Sequence, residues 1–225
     1  MNLKTIANNF LKVSENEMCG LFSNIEDAKV FARIWEKDIC ENELEFFQVS
    51  SYEHEGRFLM LKNNDKSNRL LNKKVLFDIE FDNSRYLSSG IVSFNDDCKC
   101  LGIKLIDSAH KWDRRSAVRL KVVPPLKSYM KIGEREYPLV DISVDGVSFY
   151  LHVDKVKDFF IGQKLKEMTL KITDRNYPVN GMIVRHITEL DNEVYLLGLQ
   201  FSELEDKISN CIFMEVNNLL WYYLG

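Results

Sequence analysis

Short runs of alternating apolar and polar residues dominate the chain. In "VLFDIEF" (75–81) and "LKEMTLKI" (165–172) apolar side chains recur at every second position, the period of a half-buried strand. Clusters of Asn, Asp, Ser and Gly break these runs at hairpin-like spacing, which predicts a succession of short antiparallel strands closing into small barrels or sandwiches. Two stretches have another period. In "EDAKVFARIWEKD" (26–38), Ala28, Phe31, Ala32 and Trp35 fall at helical spacing behind a candidate cap, Asn24, and predict a helix. In "LEDKISNCIFMEVNNLLWYYL" (204–224), Ile208, Ile212, Val216, Leu219 and Leu220 share one face, a helix suited to packing on a barrel mouth or a partner. The opening residues 1–16 fit a short amphipathic helix or a mobile arm equally well.

Two long segments resemble each other, 70–105 and 160–201. Asn72 matches Gly162, Gly90-Ile91-Val92 matches Gly181-Met182-Ile183, and Leu101-Gly102-Ile103 matches Leu197-Gly198-Leu199. Upstream, Glu55-Gly56 with Phe58-Leu59 falls on Asp145-Gly146 with Phe149-Tyr150, given a slip of one residue after the glycine. The pattern predicts one barrel duplicated. Between the copies "IDSAHK" (106–111) lacks periodicity and reads as a linker, and junctions between domains are common ligand sites.

Composition narrows the function classes. The chain has 225 residues, 45% of them hydrophobic, enough for two cores of roughly 100 residues each. Its net charge is −4, without the broad basic face that a polymeric nucleic acid requires. A single-stranded RNA binder would show aromatics beside lysines, whereas "YEHEGRF" is acidic around its aromatics. No run of about 18 apolar residues predicts a membrane span, and the first residues lack the pattern of a signal peptide. Five cysteines (Cys19, Cys40, Cys98, Cys100, Cys211) at irregular spacing suit a reducing cytoplasm better than a disulfide framework. Cys98-Lys-Cys100 has no second pair or nearby histidines to complete a metal site, so no metal is expected. His54, His110, His152 and His186 are scattered, and no Walker or GxGxxG pattern occurs, so an enzyme is not expected.

The candidate chemistry sits in "WDRRSAVRL" (112–120) and "VDISVDGVSFY" (140–150). Arginine presents planar donors that match phosphate oxygens and the O6/N7 edge of guanine. Arg115 and Arg119, four apart, point the same way in an extended segment, while Arg114 points to the other side unless the chain is irregular. Asp141 and Ser143, two apart, share a strand face; a carboxylate accepts from guanine N1–H and N2–H, and a hydroxyl bonds a base edge or a phosphate. Gly146 permits a positive-φ turn or close approach by a ligand. Val144, Val147 and Phe149 supply core on other faces. His186 and Arg185 fall on a strand beside this site if the barrel forms.

Taken together, RxxxR followed by DxSxxG resembles the PilZ family of bacterial cyclic di-GMP receptors, over about Asp113 to Gly225 and including "GMIVRH", "LLGLQF" and the terminal helix. The resemblance implies a mainly β fold with flanking helices: two small antiparallel PilZ-like β-barrel domains joined by a short linker. Residues 1–105 would be a degenerate barrel with a helical N-terminus, 106–120 the linker with the arginine motif, and 121–225 the C-terminal PilZ domain with its helix. It implies cyclic di-GMP as the ligand, no cofactor, and Arg114, Arg115, Arg119, Asp141, Ser143 and Gly146 as binding residues. In that family an arginine at the position of Arg114 accompanies a stacked ligand pair, which extends to two nucleotides per site. Aligned by Gly56, Asp141 and Ser143 fall on Ser51 and Glu53, and the arginines fall near 25–29, so the first copy keeps the scaffold without the site. The layout resembles flagellar-brake proteins, which implies a cytoplasmic effector that reorients its domains on binding, regulates motility and meets a protein partner such as a flagellar motor component. The competing expectation is a ligand-independent interaction module acting on a motor or secretion component.

Overall fold

A computed structural model of the chain describes residues 11–23, 29–37, 44–53, 55–62, 67–81, 84–95, 100–113, 119–191 and 193–224. It divides into two compact units, one within Asn8–Ser116 and the other within Ala117–Gly225. Each holds a closed six-stranded antiparallel β-barrel, and the second ends in a helix.

The first barrel uses β2 (Phe31–Glu36), β3 (Glu45–Glu53), β4 (Phe58–Leu61), β5 (Lys74–Phe81), β6 (Ser84–Asn95) and β7 (Cys100–Leu105). Round the wall they run β2-β3-β4-β7-β6-β5 and back to β2. β8 (His110–Asp113) adds to β6, and β1 (Leu11–Lys12) adds to β8. Within 106–120, expected as linker throughout, His110–Asp113 is therefore strand. Helix α1 (Glu15–Ser23) precedes the barrel, and residues 1–10 of the opening stretch lie outside the described residues. Ser14 caps it: the Ser14 N–H and hydroxyl both donate to the Glu17 carboxylate at 2.8 Å, and the Glu17 N–H returns to Ser14 Oγ. These bonds hold the Glu17 carboxyl below the usual carboxylate range.

The helix expected over 26–38 is not formed. Phe31–Glu36 is strand β2, paired with β3 and β5, and Asn24 lies outside the described residues. Ala32 fits both periods. Val30, Ala32 and Ile34 alternate into the core while Phe31 stays half exposed, and pairing on both edges decides for the strand.

The second barrel uses β10 (Ser128–Ile132), β11 (Arg135–Ile142), β12 (Gly146–His152), β13 (Lys164–Ile172), β14 (Arg175–Glu189) and β15 (Val194–Glu203). Its order, β10-β11-β12-β15-β14-β13 and back to β10, repeats the first barrel strand for strand. β9 (Leu120–Lys121) lies on β11, and the short α2 (Val153–Val156) follows β12. Helix α3 (Asp206–Leu224) touches β9 and β14, with Ile212, Val216 and Leu220 buried as the spacing predicts. No helix among the described residues is long and apolar enough to cross a membrane.

The duplicated frame extends to backbone detail. Asn72 and Gly162 both have positive φ (62° and 87°), and both donate 2.8 Å bonds, to the carbonyls of Val92 and Val184. A bulge interrupts β3 between Val49 and Ser51 and β11 between Leu139 and Asp141. Two sequence matches shift: Gly90 shares its register with Met182 rather than Gly181, and Phe58 with Gly146 rather than Phe149. Each core is aliphatic and aromatic, Ile34, Phe47 and Phe77 in the first and Met130, Phe149 and Leu170 in the second. Cys100 is disulfide-bonded, against the expectation of thiols; spacing alone does not show which cysteines approach.

A charged lock braces the first barrel. Asp78, fully buried on β5, accepts from Arg33 at 2.7 and 2.5 Å and from Arg85 at 3.0 and 2.6 Å. Removing this buried carboxylate takes two charge-assisted hydrogen bonds from each partly buried guanidinium group. Asp78→Ala is therefore expected to lower stability by about 3 kcal/mol; a urea unfolding midpoint equal to that of the parent protein would contradict this.

Candidate functional site

Strand register builds one polar row across the outer wall of the second barrel. Asp141 on β11 stands opposite Lys121 on β9 and Ser148 on β12; Ser148 stands opposite Gly198 on β15, and Gly198 opposite His186 on β14. Directly opposed residues face the same side of a sheet, so the row shares one surface. A cleft of about 220 Å³ lies over this wall, lined by Arg119, Asp141, the 143–146 turn, Arg185, His186 and Gln200. Sites that enclose a drug-sized ligand run about 300–1,000 Å³. The barrel thus offers one side of a site, and it is the segment just ahead of β9 that stands next to it in the chain.

The sequence-predicted residues distribute as follows. Arg119 is exposed beside β9, which pairs Leu120 with Ile142 and so delivers Arg119 to the β11–β12 turn. Arg114 and Arg115 lie outside the described residues. Asp141 is half-buried on the cleft. Ser143 is buried, and its hydroxyl is fully used: it donates to the Gly146 carbonyl at 3.1 Å and accepts from the N–H groups of Asp145 and Gly146. A hydroxyl has one donor and two acceptor positions, so these three bonds close the turn at Ser143, which also lines the cleft. Gly146 has no positive φ. A Cβ there would lie 2.0 Å from the Leu199 carbonyl oxygen, so close approach of β15, not a turn, demands glycine.

Arg185 and His186, expected beside the site, line the cleft. Arg185 Nε donates to Gln200 Oε1 at 2.5 Å. The His186 ring rests on Gly198, where a Cβ would come within 1.9–2.4 Å of three ring atoms. Gly198 and Gln200 were not anticipated as site residues, although they lie in the repeated "LLGLQF". In the first barrel the same row reads Ser51, Met60, Gly102 and Ser93. There Phe58 takes the register of Gly146, and its ring lies on Gly102, within 2.1 Å of where a Cβ would sit. Glu53 takes the register of Ser143, as the alignment on Gly56 implied.

The cleft therefore combines arginine donors, a carboxylate and a bare shelf inside one barrel wall. Residues 113–214 match the PilZ domain family. Across the whole chain the fold is similar to that of MrkH from K. pneumonia in its complex with c-di-GMP, at 14% identity over 95% of this chain and 97% of that one, with a TM-score of 0.43. It is also similar to YcgR from Escherichia coli in complex with c-di-GMP (11% identity, 96% and 94% coverage, TM-score 0.40) and to the Bacillus subtilis inhibitor of motility MotI/DgrA (17%, 85% and 95%, TM-score 0.37). No curated protein matches the sequence. Within the PilZ segment, the DxSxxG residues divide their work: the carboxylate faces the cleft while the serine and glycine shape the turn and strand beneath it.

The division of work has a consequence in the ligand-free protein. Ser143→Ala removes the hydroxyl that accepts from the buried Gly146 N–H and the part-buried Asp145 N–H, and is expected to cost about 1–3 kcal/mol without any ligand present. Unchanged thermal denaturation of that variant would return Ser143 to a purely ligand-facing role.

Proposed function

We propose that the chain is a cyclic di-GMP receptor whose C-terminal PilZ barrel holds the ligand. The observation that carries this reading is the meeting of Arg119, Asp141 and the Ser143–Gly146 turn on one cleft, within a segment that matches the PilZ domain. Arg114 and Arg115 precede Arg119 in the chain and complete the site from the arginine segment. Guanidinium groups pair with phosphodiester oxygens and with the O6/N7 edge of guanine, and Asp141 accepts from guanine N1–H and N2–H. Ser143 and Gly146 hold the wall that presents Asp141. The N-terminal barrel is a degenerate PilZ-like copy, with Phe58 lying where the second barrel is open and Glu53 opposing an anion.

In this reading the protein is a binding effector and not an enzyme. Ligand orders the segment 106–120, which changes the orientation of the two barrels and passes the signal to a protein partner, a flagellar motor component in the motility reading, in the cytoplasm.

Calorimetric titration of the full chain with cyclic di-GMP tests the proposal. Binding is expected, with Arg115→Ala and Arg119→Ala each weakening it by about tenfold or more, the worth of a charged hydrogen bond. Asp141→Ala should weaken it too without favouring cyclic di-AMP. No binding by the parent protein, or equal affinity in both arginine variants, overturns it.

A further inference from the structure

The two barrels share their register closely enough for one insertion to stand out. In the first, Val92 stands opposite Ile103 and Ser93 opposite Gly102, consecutive residues on consecutive partners. In the second, Val184 stands opposite Leu199, but it is His186 that meets Gly198. Arg185 is the extra residue of a β-bulge, with no counterpart in the first copy. A bulge re-aims a side chain at the cost of a ladder position, and bulges gather beside functional sites. This one lines the cleft, and its added residue is an arginine latched by Gln200 at 2.5 Å.

The row fixes the length of the cleft. Asp141 on β11 and His186 on β14 are three strand spacings apart, β11 to β12 to β15 to β14. At about 4.8 Å per spacing this is about 14 Å along the wall. Arg185 is latched to Gln200, which stands opposite Gly146, so its guanidinium enters the cleft from the β14–β15 side while Asp141 enters it from β11.

We propose that the Arg185 bulge is a second recognition point, which contacts the ligand from the β14–β15 side of the cleft while Asp141 contacts it from β11. This rests on the cyclic di-GMP reading and adds a contact residue which that reading does not assign. Gln200 holds the guanidinium through Nε, leaving its terminal N–H groups for a phosphodiester or the O6/N7 edge of a guanine. His186, flat on the side-chain-free shelf of Gly198, offers an aromatic face beside it. Arg185 is a contact residue in this scheme and Gln200 a positioning residue.

The test is titration of the full chain, parent and variants, with cyclic di-GMP. Arg185→Ala is expected to weaken binding by about tenfold or more. Gln200→Leu should weaken it less, since the guanidinium remains but is no longer oriented. The double variant should be no weaker than Arg185→Ala alone, because the two residues act as one unit. Arg185 is exposed, so the ligand-free melting temperature of Arg185→Ala should match that of the parent. Parent binding with Arg185→Ala within twofold of it overturns the proposal, as does full additivity of the two substitutions. Absence of binding by the parent refutes the receptor reading itself and takes this proposal with it.

Discussion

Close approach of bare backbone is the constraint on which the second barrel's outer wall depends. At Gly146 the neighbouring strand comes so near that a methyl group would sit 2.0 Å from the Leu199 carbonyl oxygen. At Gly198 the missing side chain is what lets the His186 ring lie down on the sheet. Everything polar in the cleft is arranged round these two gaps. Arg119, Asp141, Arg185 and Gln200 line the cleft over them, Gln200 standing opposite Gly146, and the Ser143 hydroxyl pins the turn that leads into Gly146.

The first barrel is the internal control that nature provides. It has the same strand order, the same bulge ahead of the Asp141 register, and the same glycine at the centre of the row. It differs by a phenylalanine laid over that glycine, a glutamate at the turn, and a regular strand where the second copy inserts an arginine. One scaffold thus carries a wall covered by Phe58 in one copy and an open one lined by arginines and aspartates in the other. The buried Arg33–Asp78–Arg85 cluster shows the first copy placing its arginines in structural work.

Much of this was legible in the chain. Period-two runs marked β5 and β13, and the Asn72/Gly162 match found two positions with the same positive φ and the same hydrogen bond. Four of the six predicted site residues, Arg119, Asp141, Ser143 and Gly146, come together on one cleft. What was not legible depends on pairing between distant strands. Residues 31–36 satisfy a helical and an extended period alike, and only β3 and β5 on either side decide between them. The serine of DxSxxG offers a hydroxyl to any reader; that it is spent on the turn follows from the 143–146 geometry. Arg185 was read as near the site, but its status as an inserted residue exists only in the register of β14 against β15.

The most direct measurement of the central claim is a crystal structure of the chain with cyclic di-GMP. The account predicts the ligand lying along the outer wall of the second barrel, a guanine edge against the Asp141 carboxylate, and none over Phe58 in the first. A ligand seated on the first barrel, or on the second away from the row from Asp141 to His186, would contradict it.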